Sequence, residues 1–151
     1  MTASSRIAAA LVAAACCVFV PTTARAIGTI NIHQGSGAVS TYKDVEIRVF
    51  SGSLFLTSDD GNGTIVITRA ACSYQGELLV CFPTAAALVQ DGQSSALNLK
   101  RGTLYFNSTS DAQPLTHSSA KLPANSIMAS LSLKDGTSIT AMGRIDEVIG
   151  Q

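Results

Sequence analysis

The 151-residue chain has no tryptophan, only two histidines and 5% aromatic residues, and just 13% of its residues are charged. Each shortage removes a class of function. Stacking platforms for bases or sugars are assembled from exposed aromatic rings, and little such material exists here. A nucleic-acid surface needs clustered lysine and arginine, whereas the basic residues of this chain are scattered singly, so no nucleic acid is expected as a partner. Histidine is the commonest general acid–base group and metal ligand, yet neither His33 nor His117 sits in a ligand-spaced pattern, so neither metal nor cofactor is expected. The chain also lacks H-E-x-x-H, the phosphate-binding P-loop and the dinucleotide fingerprint. Beyond residue 26 no segment sustains a helical period, and no repeat of solenoid length recurs.

What is present begins with an export signature. Arg6 precedes an unbroken apolar run from Ile7 to Val20, Pro21 ends it, and Ala24-Arg25-Ala26 supplies small residues for a signal peptidase. The run is shorter than the ~20 residues that span a bilayer, so residues 1–26 read as a helical signal peptide cut after Ala26. No integral membrane segment is expected after that cut. An alternative is lipid anchoring through Cys16, but the apolar run continues past it through Val18-Phe19-Val20, where a lipoprotein turns polar. The remainder, residues 27–151, suits a single domain located in the periplasm or secreted. Losing Arg6 and Arg25 would leave eight basic against ten acidic residues, a slightly acidic mature chain.

In an oxidising compartment, the two remaining cysteines, Cys72 and Cys81, are expected to pair. Their spacing matches neither C-x-x-C redox sites nor half of a zinc quartet. Hairpin geometry accounts for them instead. With Gly76-Glu77 as a two-residue turn, glycine holds the first central position of a type II′ turn, and Gln75–Leu78, Tyr74–Leu79, Ser73–Val80 and Cys72–Cys81 become cross-strand pairs. The cysteines then fall on a closely spaced, non-hydrogen-bonded pair, which a disulfide can bridge.

Strand patterning continues through the chain. Val45, Ile47 and Val49 alternate with Glu46 and Arg48. Ser53–Thr57 and Thr64–Thr68 flank the turn-forming Ser58-Asp59-Asp60-Gly61-Asn62-Gly63, and Leu97, Leu99, Leu104 and Phe106 extend the alternation around Lys100-Arg101-Gly102. At the C-terminus Ile127, Ala129, Leu131 and Leu133 share one face, as do Ile139, Ala141, Gly143 and Ile145. A two-residue Asp135-Gly136 turn would pair Leu133 with Ser138 and put apolar against polar. A three-residue Lys134-Asp135-Gly136 loop pairs Leu131 with Ile139 and keeps the faces consistent. Short strands at close spacing predict an all-β fold, an antiparallel β-sandwich with a small β-barrel as the alternative. Ile27–Ile32 reads either as the first strand of that fold or as a spare donor strand.

Candidate chemistry is sparse. Gly92-Gln93-Ser94-Ser95-Ala96 approaches a nucleophile elbow but lacks the second glycine and the strand–turn–helix setting. Asp59 to Gly63 lacks the ligand alternation of a calcium loop. Asn62-Gly-Thr and Asn107-Ser-Thr fit the glycosylation pattern. The stretch from Asn107 to Asn125 is long for a connection, which makes Gln113, Pro114, His117 and Lys121 the candidate binding-loop residues. From TSDDGNGTIVITRAACSYQGELLVC to the closing GRID at residues 143–146, the chain resembles small uncharacterised exported proteins of Gram-negative bacteria. That resemblance implies a compartment and no activity. The expectation is a non-catalytic binding module for a protein or small ligand; the alternatives are a structural subunit of an envelope assembly and a hydrolase with an unrecognised site.

Overall fold

A computed structural model describes residues 23–50, 53–58, 63–115 and 119–149. Arg6, Cys16, Cys17 and the expected signal helix, the turn residues Asp59 to Asn62, and His117 lie outside the described residues.

The described chain is all β. It runs β1 (Thr23–His33), β2 (Val39–Phe50), β3 (Ser53–Thr57), β4 (Thr64–Gln75), β5 (Leu78–Gln90), β6 (Gln93–Leu97), β7 (Leu99–Asn107), β8 (Gln113–Pro114), β9 (Lys121–Leu122), β10 (Ser126–Leu133) and β11 (Ser138–Ile149). The architecture corrects the sandwich expectation. Eight strands, in the order β1-β2-β3-β4-β5-β7-β10-β11, close into an antiparallel barrel, which was the alternative. β11 pairs back onto β1 from Ser138 opposite His33 to Ile149 opposite Thr23. A sandwich keeps two sheets with free edges, whereas pairing the first strand with the last removes them. The residues first read as a possible spare donor strand are therefore paired on both sides, by β2 and β11.

Closing eight strands requires tilt, stagger and local bending. Register shifts supply the bending: between Gly28 and Ile30 against β2, between Ile145 and Glu147 against β1, and around Arg69 against β5. Pro83 lies opposite Arg69 at the last of these, where the missing N–H of proline interrupts no regular ladder.

The turns explain the registers. Gly76 has φ +64° and Glu77 does not turn positive, so the glycine-first turn forms, with Cys72 opposite Cys81 and a disulfide whose Cα atoms are 4.1 Å apart. Leu131 lies opposite Ile139, and the Leu133 N–H donates to the Thr137 carbonyl (2.8 Å) across Lys134-Asp135-Gly136, with Gly136 at φ +90°. The Asp135 carboxylate accepts from the Thr137 backbone N–H at 2.8 Å, which holds its pKa below the ordinary value. Asp91 (φ 50°) and Gly92 (φ 76°) form a further two-residue turn, with both residues left-handed as a type I′ hairpin requires.

Inward positions are apolar and outward ones are rich in Ser, Thr and charge, the reverse of a barrel that faces lipid. Ile47, Leu54, Leu56, Ile67, Leu104 and Leu131 are fully buried and dominate the interior. The β1–β11 seam is the tightest place. Gly28 lies opposite Gly143, a Cβ on Gly28 would collide with the Met142 carbonyl oxygen, and one on Gly143 would come 2.7 Å from Ile47 Cδ1. On the outer wall Glu46 links β1 and β2, accepting from Arg25 Nε at 2.9 Å and Arg48 Nη2 at 2.9 Å. Arg48 foremost holds the Glu46 pKa below its ordinary 4.5 against an opposing effect of burial, with Arg25 adding to the lowering.

Two outcomes follow from these contacts. Gly28→Ala forces the seam backbone apart and should lower unfolding stability by about 1–3 kcal/mol in urea titration, the usual cost of overpacking; wild-type stability would refute the close approach. Because the Glu46 pKa is depressed, its contribution is present above the unfolded-state pKa and is lost as the pH falls through the folded-state value. Glu46→Gln should therefore cost roughly 0.2–1 kcal/mol at pH 7, in the range of exposed ion pairs, and less at pH 3, below the ordinary carboxylate value. An equal cost at both pH values would assign the effect to packing.

Candidate functional site

The run Leu78-Leu79-Val80-Cys81 is buried at all four positions, although a strand in a barrel wall normally alternates. Leu79 and Cys81 belong to the interior. Leu78 and Val80 belong to a second apolar cluster with Leu122, against which Tyr105, Leu115 and Met128 pack. The cover is the excursion of residues 108–125 between β7 and β10. It folds back over the outer wall as the short pair β8–β9, with Gln113 opposite Leu122 and Pro114 opposite Lys121, extended by the Leu115 N–H donating to the Ala120 carbonyl at 3.0 Å.

Asn107 holds the excursion to the wall. It is completely buried at the end of β7. Its Nδ2 donates to the carbonyls of Asp111 (2.9 Å), Leu122 (3.1 Å) and Pro123 (3.0 Å), and its Oδ1 accepts from the backbone N–H (3.0 Å) and hydroxyl (2.7 Å) of Thr109. One side chain thus joins the outgoing and returning arms. The return is fixed a second time, because the Asn125 N–H donates to the Thr109 carbonyl (3.1 Å) and the Asn125 carbonyl accepts from the Ile145 N–H (2.7 Å). The nitrogen that a glycan would occupy in Asn107-Ser-Thr is therefore inside the protein and engaged, a structural use of the motif that its sequence does not reveal.

Beside the excursion an apolar row crosses the outer wall. Val80, Tyr105, Met128 and Met142 are successive cross-strand partners on β5, β7, β10 and β11. The excursion packs on the first three, and Met142 emerges beyond it, 45% exposed. A methionine in that position offers soft, adaptable apolar surface.

The expected site residues are distributed unevenly over this arrangement. Gln113 is half-buried and its Nε2 donates to the Thr109 hydroxyl at 3.2 Å, so it braces the excursion. Pro114 and Lys121 are exposed and opposite one another. His117 lies outside the described residues. His33 is exposed at the end of β1, and among the described residues no three His, Cys, Asp or Glu side chains come together as a metal site. Cys72 and Cys81 are joined to each other. The elbow-like Gly92–Ala96 is the second residue of the β5–β6 turn followed by strand β6. Ala24 and Ala26 both fall inside β1, and Ala26 is completely buried. Residues that sequence reasoning passed over are Leu122, Met128 and Met142, together with the bracing role of Asn107. The signal for them was Leu78–Cys81 itself: four consecutive apolar residues in a strand mean that both faces are covered.

No known protein family, curated protein or solved structure matches the chain.

Asn107→Asp keeps the shape and removes both donors, leaving a carboxylate facing three carbonyls. Stability should fall by about 2–3 kcal/mol at pH 7, as expected for a buried polar group set against the wrong partners. A carboxyl so placed has a raised pKa, so the loss should shrink as the pH falls through that pKa and protonation restores one donor. Hydrogen exchange should localise the loss to residues 108–125; uniform loosening of the barrel would contradict the bracing role.

Proposed function

We propose that the chain is an exported, non-catalytic binding module of the periplasm or the extracellular space, and that it recognises a protein partner on the outer wall beside the 108–125 excursion. The observation that carries this reading is the apolar row, buried under the excursion at Val80, half-buried at Tyr105 and Met128, and open to solvent at Met142. An exposed apolar surface continuous with a buried one and bounded by polar residues is a common contact surface. Recognition through the wall suits a protein better than a small molecule, since small ligands favour concave sites and the barrel interior is occupied by large apolar side chains. The disulfide is consistent with an oxidising compartment, and the apolar N-terminal run with its small-residue cleavage motif supports export.

A structural-subunit reading has one observation of its own. Among the described residues β6 pairs with β5 alone, which leaves its second edge for strand addition. Its residues are short and polar, Gln-Ser-Ser-Ala-Leu, a composition that protects an edge more than it recruits a partner.

A photo-crosslinking residue placed at Met142, with exposed Lys43 as the control position, separates these readings in the native host's envelope. The binding module predicts a discrete adduct with another protein from position 142 and none from position 43. A ladder of self-adducts would favour the assembly subunit. Identical adducts from both positions, or none from either, would remove the wall beside the excursion as the contact surface.

A further inference from the structure

Past Pro21, two alanines satisfy the small-residue rule: a cut after Ala26 has Ala24 at the third position before it, and a cut after Ala24 has Thr22 there. The recognition pattern alone does not separate them, but the fold does. The cut after Ala26 falls within β1, after the fourth residue of the strand that begins at Thr23. Ala26 lies opposite Ile47 on one side and Ile145 on the other, is completely buried, and belongs to the interior cluster. Its loss would uncover Ile47, a fully buried side chain of β2. The cut after Ala26 would also leave β2 from Ile47 to Phe50 and β11 from Ile145 to Ile149 without their partner, whereas the cut after Ala24 frees only Val49, Phe50, Val148 and Ile149. Arg25 would go with Ala26, and Glu46 would keep only Arg48 of its two basic partners on the wall. The cut after Ala24 removes only the terminal pairs of the strand and retains both the buried alanine and the ion pair.

We infer that the leader is removed after Ala24, so that the mature protein begins at Arg25. This rests on the reading of the chain as exported. Processing then leaves a single basic residue ahead of the buried alanine, and the new α-amino group stands next to the Arg25–Glu46 pair.

Intact-mass measurement of the full-length protein expressed and recovered from its own host's envelope decides the position. The expected species is Arg25–Gln151, heavier than Ile27–Gln151 by one arginine and one alanine residue. A species beginning at Ile27 overturns the inference while keeping export. An uncut chain beginning at Met1 overturns export itself, and the two failures are distinct in the same spectrum. The structural premise is read in parallel by comparing purified chains that begin at Arg25 and at Ile27. The shorter chain should melt lower by roughly 5 °C or more, the shift expected when a domain of this size loses core packing and strand pairing. If it fails to fold, the Arg25 chain should still give a cooperative transition. Coincident melting curves would show that β1 does not need Arg25 and Ala26.

Discussion

The pairing of β1 with β11 is the constraint on which the rest of the molecule depends. An apolar interior lined by period-two strands is sheltered only if the sheet has no open side, and the last opening is the gap between the two ends of the chain. Closing it brings two backbones close together, which is why glycine faces glycine at positions 28 and 143 and why Ile47, reaching in from β2, fills the space that a side chain at Gly143 would need. The two glycines and the branched Ile47 of the neighbouring strand are parts of one packing solution. Removing the bulk of Ile47 or adding bulk at Gly28 disturbs the same seam.

The end of the barrel holding the β4–β5 turn is reinforced separately. There the disulfide joins neighbouring strands beside the Gly76 turn, and the excursion lies over Leu78 and Val80 of the same β5 segment. A bridge closing so short a loop constrains the unfolded chain only modestly, so its main effect is on the local register of β4 and β5. That register matters because it decides which of four consecutive apolar residues face the interior and which face the excursion. A slip by one position would exchange Leu79 and Cys81 with Leu78 and Val80, turning interior residues toward the excursion and covered ones inward. Disulfide, covered strand and buried asparagine therefore specify one arrangement between them.

Local features were readable from the sequence because local chemistry determines them. Gly76 fixed a turn and through it the cysteine pairing; the mismatch of faces at Asp135-Gly136 excluded one loop length and selected another; Val45, Ile47 and Val49 announced an inward face. The choice between sandwich and barrel was not readable in this way. It depends on whether residues more than a hundred positions apart become neighbours, and alternation along a strand is the same in both architectures. The excursion was noticed for its length, but length does not show that Gln113 donates to Thr109 and braces it. The more informative signal lay outside the loop, in the non-alternating run from Leu78 to Cys81.

Closure between the two ends of the chain also has a kinetic side. The contacts that seal the barrel join the earliest described strand to the last, so they form only after the whole chain is available, and contacts so distant in sequence make for slow folding. Until then β1 and β11 carry unpaired edges and the apolar faces of both strands are exposed. For a chain proposed to cross a membrane before folding, this delay is useful: the leader and the strand that follows it stay accessible until translocation is complete. The same delay makes the first residues of the mature chain part of the folding problem. A strand that must close the barrel last cannot lose a buried residue at its start without weakening the one pairing that no other element can replace.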